Sequence, residues 1–423
     1  MSMRLLVLGF IFSRVGRYKS VTAFSFSVMG FWFQTEEVVE GTARVLVPRL
    51  NRVEGEPLDH ARSRAAVFYN PVMRLNRDTA VLVLAVQGET LGRAMEACEP
   101  MCGSGVRGVR LVLEAGAGRV IMGDLNPSAV QLAEENARRN HVSDRVKVRM
   151  MDANLLMNLH SSPMNRFNYV DIDPYGSPAQ FLDSAVRCTR DGGVVALTAT
   201  DMAPLCGVNP AACLRKYGGR PMRASYTHEV ALRLLLGSFV RAAAVHEMGV
   251  KPLFSYYADH YVRAYMQLKQ GAKPADATLA EMGYVLHCPR CLRRVSVKGP
   301  YLKAARTCED CGGQMVVGGP MWLGETTDRG FLGGMLTKMG SLGVAWEPRL
   351  ENLINTIRDE VGSPPTFYSL DELCSRLRIS SLPLDFVLEK LRGAGFKASR
   401  THFHERGLRT DAGVSDLEKL LKA

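Results

Sequence analysis

The stretch AMEACEPMCGSGVRGVRLVLEAGAGRVIMGDL, residues 94–125, decides the fold. AMEACEP (94–100) reads as a strand that runs into a glycine-rich turn. GVRLVLEAGA follows as a helix, with Val109, Val112 and Leu113 at helical spacing, and RVIMGDL (119–125) returns as a second strand. Outward from this unit the pattern repeats. SAVQLAEENARRN (128–140) is a helix opened by Pro127, and VKVRMMD (146–152), NYVDIDP (168–174) and GGVVALTAT (192–200) are further strands. Strands alternating with helices at this spacing imply an α/β, Rossmann-like fold with a doubly wound, mostly parallel sheet. Ligands of such sheets bind at the C-terminal ends of the strands, where every unusual motif of this chain falls.

The rest of the chain bounds the problem. It has 423 residues, too many for one ordinary domain, and is 47% hydrophobic and 22% charged, which excludes a disordered or fibrous protein. Lys plus Arg minus Asp plus Glu is 53 minus 42, or +11, and favours a polyanionic partner. No apolar run approaches the roughly 18–20 residues of a membrane span, so no membrane partner is expected. Residues 1–33 hold four basic and no acidic residues but lack a cleavage site after LLVLGFIF (5–12), and read as a poorly ordered or miscalled extension. The main α/β domain is expected over 34–250, and a second, smaller α+β domain over 251–423. After Lys251 the text turns Tyr-rich (SYYADHYVRAYMQLK, 255–269), then Cys- and Gly-rich. Net charge is 25 minus 23, or +2, over 34–250, and 24 minus 19, or +5, over 251–423, which weights the expected grip on a polyanion towards the second half.

Gly103, Gly105 and Gly108 form G-x-G-x-x-G, which lets a ligand approach the backbone but also serves nicotinamide enzymes. Asp124, ending the next strand, suits two ribose hydroxyls in either class. Two features favour S-adenosylmethionine over NAD. Glu99 stands just before the loop, and MDAN (151–154) supplies a third acidic strand end, where Asp152 and the Ala153 backbone suit an adenine amino group.

DIDPYGSP (171–178) carries the chemistry. Acid-Pro-aromatic at the end of a strand resembles the arrangement that methyltransferases use on exocyclic amines of bases, and such an amine, guanine N2 among them, is a poor nucleophile because its lone pair is delocalised. A carboxylate and a carbonyl accepting its two N–H bonds would favour a pyramidal nitrogen aimed at a methyl sulfonium. Asp173 suits the first role, as acceptor and orienting group rather than strong base. Pro174 has no N–H to compete with its own carbonyl, and Tyr175 can stack on a base. Asp171 is assigned by alternation to the opposite strand face and a structural role. Read in isolation, D-P-Y-G is also an ordinary turn.

VFYNPVMRLNRD (67–78), EPMCGSGVRG, DIDPYGSP, TATDMAPLCG (198–207), LRKYGG (214–219) and YYADHYVRA (256–264) together resemble the archaeal and eukaryotic tRNA (guanine-26) N2-dimethyltransferase family. GPMWLG (319–324) and RTHF (400–403) extend the resemblance, which covers roughly 35–415. It implies a class I methyltransferase domain, S-adenosyl-L-methionine as cofactor, tRNA as partner and two transfers to one guanine. It also implies cofactor contacts from Arg77 and Arg107 beside Asp124, Asp152 and Ala153, a catalytic carboxylate at Asp173, and base-flanking aromatics at Phe68 and Tyr175. Tyr175 departs from the family's usual Phe, and HERGLRTDAG (404–413) from its Pro- or Ala-rich continuation. Standing alone, Arg77 and Arg107 would read as helix-surface or salt-bridge residues and Phe68 as core. His228 and Glu229 read as caps of a core helix.

Cys288-x2-Cys291 and Cys308-x2-Cys311 have four-thiolate zinc spacing, and a structural Zn2+ in a knuckle over 288–311 is expected, with two disulfides as the alternative. The six other cysteines are scattered, in keeping with a reducing, cytoplasmic setting. Nothing implies a protein partner, and a monomer is expected. Competing readings are an N2-guanine methyltransferase for another tRNA or rRNA position, and an RNA-binding protein with a vestigial cofactor loop.

Overall fold

The computed structural model describes residues 31–50, 57–301 and 305–422. Its centre is a seven-stranded sheet. After a hairpin of Thr35–Glu40 (β1) and Ala43–Pro48 (β2), the chain enters Met95–Glu99 (β3), Ala117–Asp124 (β4), Val146–Met150 (β5), Phe167–Ile172 (β6) and Thr189–Ala199 (β7). These five pair in parallel, and an antiparallel hairpin, Met248–Ala258 (β8) and Tyr261–Gln270 (β9), completes the order β5-β4-β3-β6-β7-β9-β8. All six residues of β6 are buried, as a central strand covered on both faces requires. Strand order reverses between β3 and β6, so the loops after these two strands open a crevice at one end of the sheet.

Strand β8 crosses position 250, so the boundary expected there falls inside the sheet, which continues to Gln270. The hydroxyls of the Tyr-rich stretch are satisfied inside the fold. The Tyr265 and Tyr256 hydroxyls pair with Thr79 Oγ1 at 2.6 and 3.1 Å. Met282–His287 (β10), Arg294–Lys298 (β11) and Val316–Trp322 (β12) form an antiparallel sheet of order β11-β10-β12. Tyr368–Ser369 (β13), Ala398–Thr401 (β14) and His404–Thr410 (β15) form a third, of order β13-β15-β14.

The last unit packs around Leu370, Leu388, Leu408 and Leu417, joined by Leu292 of the knuckle, and the second sheet has a small cluster of its own around Leu286 and Met315. Met321 and Trp322 of β12 share a core with the helix Thr227–Ala244, while Phe331, Leu332, Leu350 and Ile354 join the core around the helix Arg74–Leu91. Both helices are buried on nearly every side, which is why neither carries a polar stripe. Glu229 does not cap its helix. It accepts the Thr366 N–H at 2.9 Å and pairs with Arg233 and Arg409, while His228 stacks on Tyr257 at 4.0 Å. Arg409 lies in the stretch that departs from the family pattern, and bridges Glu229 and Glu360. Of the N-terminal extension, residues 1–30 lie outside the described part. Phe31 and Phe33 pack near Ala129 and Leu132, and Trp32 Nε1 donates to Ser128 Oγ at 2.9 Å.

Candidate active site and zinc knuckle

The glycine turn has the backbone that its sequence requires. Gly103 (φ 52°) and Gly105 (φ 73°) are left-handed, and a Cβ on Gly105 would stand 2.8 Å from that of Ala133. Asp124 accepts the N–H groups of Gly103 and Asn126, each at 2.9 Å, which locks its carboxylate against the turn. Asp152 caps the helix Ala153–Leu159 by accepting from Leu155 N–H at 3.0 Å, and Ala153 opens that helix. Both acids keep acceptor lone pairs, and the neighbouring Leu125 and Leu155 are 67% and 52% exposed. Backbone at close approach, two oriented acids and an uncovered apolar rim fit the ribose and adenine of S-adenosylmethionine.

Glu99 faces inward. It accepts Gly108 N–H at 2.9 Å, and burial lifts its carboxyl to about 8, with Arg107 only partly opposing the shift. Arg107 is buried and points to the end of β6: Nη1 reaches Asp171 Oδ1 at 2.5 Å, Nη2 reaches Asn76 Oδ1 at 2.9 Å, and Nη2 also pairs with Asp173 Oδ2. Arg77 is bidentate on Glu40 at 2.6 Å through both contacts, and donates to Asn70 O at 3.1 Å, bracing the turn after Phe68.

Asp171 is not turned away from Asp173. Residues two apart in an extended segment share a face, and Arg107 reaches both. Asp171 also takes both arms of Arg263, at 3.0 and 2.6 Å, and the Tyr169 hydroxyl at 2.6 Å. Burial pushes its carboxyl up, but Arg107 and Arg263 together hold it below its ordinary value. Pro174 is buried and Tyr175 exposed. Phe68 and Tyr175 meet edge to face with centroids 4.6 Å apart. Gly176 N–H donates to Thr200 Oγ1 at 2.8 Å, and Thr200 N–H returns to Gly176 O at 2.9 Å, tying the DPYGSP loop to the end of β7. Sequence reasoning missed Asn76, Thr198 and Arg263. Thr198 and Arg263 carried a signal, as polar residues in largely apolar strands, whereas Asn76 stands among polar neighbours and had none; all three are fully buried.

The four sulfurs of Cys288, Cys291, Cys308 and Cys311 lie within 4.8 Å of one another. Cys288–Cys311 is 3.4 Å and Cys291–Cys308 is 3.3 Å, far too long for disulfides. Ligands held ~2.3 Å from one zinc would stand about 3.8 Å apart, close to what is seen. The two turns match: Leu292 N–H donates to Cys288 O and Gly312 N–H to Cys308 O, both at 2.8 Å, with Leu292 and Gly312 left-handed. Cys288→Ser is expected to lower bound zinc and thermal stability while leaving the methyl-transfer step of the folded fraction nearly intact. Metal content equal to the parent's would reject the site.

A doubly wound sheet with an antiparallel edge hairpin, a glycine turn backed by strand-end acids, and an Asp-Pro-Tyr loop across the switch point define a Rossmann-like methyltransferase. The family described as N2,N2-dimethylguanosine tRNA methyltransferase matches residues 41–422, and the chain belongs to it. Among relatives, the tRNA (guanine(26)-N(2))-dimethyltransferase of Methanothermobacter thermautotrophicus is 37% identical, across 91% of this chain and 98% of its own. That of Pyrococcus abyssi is 33% identical, across 89% and 96%. The solved complex of Trm1 from Pyrococcus horikoshii with S-adenosyl-L-methionine superposes with a TM-score of 0.80 at 32% identity, covering 91% of this chain and 99% of that one. No described helix is long and apolar enough to cross a membrane.

Proposed function

We propose that the chain transfers one or two methyl groups from S-adenosylmethionine to the exocyclic N2 of guanine 26 in tRNA, at a pocket formed by Asp173, Pro174, Phe68 and Tyr175. The observation that carries this reading is that Asp173 follows β6 at the switch point, two residues before Tyr175, whose ring meets Phe68, and pairs with Arg107 of the helix that follows the glycine turn.

Bound there, S-adenosylmethionine supplies an electrophilic methyl group on a sulfonium. Gly103, Gly105, Asp124, Asp152 and Ala153 would hold it, while Glu99 and Arg77 brace the walls. The target base must leave the tRNA stack to reach the pocket. A purine between two rings needs roughly 7–8 Å, twice a carbon contact distance, so Phe68 and Tyr175 part as it enters. Asp173 and the Pro174 carbonyl accept the two N–H bonds of N2 and turn its lone pair outward. As N2 gains the methyl group, the methyl–sulfur bond breaks to leave a neutral thioether, and N2 sheds one proton, which Asp173 accepts and passes to solvent; a single N–H remains, which one of these acceptors still holds. The basic surface that grips tRNA is assigned mainly to 282–422, with the knuckle as its scaffold, and the compartment to the cytoplasm.

Mass spectrometry of nucleosides from tRNA incubated with the protein and labelled cofactor tests this reading. Labelled N2-methyl- and N2,N2-dimethylguanosine mapping to position 26 are expected. Label at another guanine would favour the alternative site specificity, and no label would overturn the reading.

A further inference from the structure

We propose that Arg263 is a positioning residue for methyl transfer, setting the place of Asp173 through Asp171 and Arg107. The inference rests on the assignment of Asp173 above. Arg263 belongs to β9, in the edge hairpin, and is fully buried opposite Thr198 of β7. Both its arms clamp Asp171, and its Nη1 also donates to Thr198 Oγ1 at 2.7 Å. Asn76 Nδ2 donates to the same Oγ1 at 3.1 Å, and Asn76 Oδ1 accepts from Arg107 Nη2. Arg107 returns to Asp171 through Nη1, closing a ring of Arg107, Asp171, Arg263, Thr198 and Asn76. Asp173 is the group attached to this ring that is partly open to the pocket, its side chain 17% exposed.

Asp171 and Asp173 both claim the Arg107 guanidinium, and Asp171, fully enclosed, has the greater need of a counter-charge. Because Arg263 satisfies Asp171 with a two-pronged clamp, Arg107 keeps one arm for Asp173. Without that clamp, Arg107 shifts toward Asp171 and the carboxylate that orients N2 loses its anchor. A displacement of about 1 Å at such a group costs on the order of 100-fold in rate.

The test is Arg263→Lys, which keeps the charge but not the fork. Single-turnover methyl transfer to tRNA is measured well below the melting temperature, together with dissociation constants for S-adenosylmethionine and tRNA. A rate at least tenfold lower, with both affinities within twofold of the parent, is expected. Adding Asp171→Asn, which removes the competing charge, should restore much of that rate. A rate unchanged in the folded variant, or a loss accounted for by weaker binding of either ligand, would overturn the inference. Should Arg263→Lys not fold, Thr198→Val decides: near-isosteric and charge-neutral, it unties Arg263 from Asn76. A severalfold slower step at unchanged affinities is expected, and an unchanged step refutes the proposal. If Asp173→Asn is itself fully active, the assignment of Asp173 fails; if that variant is inactive while Arg263→Lys is folded and fully active, only the present inference fails.

Discussion

Asp173→Ala should lower the single-turnover rate of methyl transfer by at least 10²–10³-fold, the scale on which one oriented polar contact to a reacting group acts. Dissociation of S-adenosylmethionine should stay near the parent value, because Asp124 and Asp152, the acids proposed to hold it, take their hydrogen bonds from the glycine turn and a helix N-terminus, not from Asp173. Stability should change little. Arg107 keeps Asp171 and Asn76 as partners when Asp173 is gone. Asp173→Asn separates charge from geometry: it retains an acceptor oxygen but weakens the pairing with Arg107, and an intermediate rate is expected. A fully active alanine variant would remove Asp173 from the chemistry.

Arg110→Met should be the most destabilising single change among those considered. The Arg110 guanidinium is wholly enclosed, at 2.9 Å from Glu40, 2.6 Å from Asp78 and 2.8 Å from Glu114, and all three carboxylates are themselves buried. Removing one partner of a buried ion pair costs about 3–5 kcal/mol, and here three anions lose a shared cation. The cluster also joins distant parts of the chain, since Asp78 accepts the Glu347 N–H at 2.7 Å and Glu40 holds Arg77. Urea unfolding should show a large drop in the midpoint, or no folded protein at all. Arg138→Met is the control. Its pair with Glu135 lies on an exposed helix face, where such contacts are worth between 0 and about 1 kcal/mol. A midpoint for Arg110→Met equal to that of the control would refute the network's role. Acid gives an independent reading of the same cluster. Burial raises the Glu40 carboxyl, but Arg77 and Arg110 outweigh it and hold it at about 2, against an ordinary 4.5. Its contribution is therefore complete above pH 4.5 and is lost as pH falls from 4.5 toward 2.

Much of the proposed site is built from motifs legible in the sequence. The glycine turn, Asp124, Asp152 and the DPYGSP loop each announce themselves within a few residues, because turn geometry, helix capping and strand ends are local matters. The cysteine spacing is local in the same way: each pair needs one tight turn, and the structure builds two of matching geometry. Arg107 was placed by resemblance on the cofactor side, and its direction toward Asp171 and Asp173 was not legible, because the partner carboxylates come 64 and 66 residues later.

The sequence by itself determined the alternating sheet, the position of its ligand-binding end, the thiolate set and the family. Those rest on periodicity and short motifs, in which neighbours in the chain are neighbours in space. Only the tertiary structure decided that the hairpin 248–270 closes the same sheet, that Asp171 and Asp173 share one arginine, and that β12 and the helices beyond it cover the catalytic part. Asp171 and Arg263 stand 92 residues apart, and nothing in either segment names the other. Their pairing follows from strand order, which sets β9 against β7 and β7 against β6, and from the cost of leaving either charge buried alone.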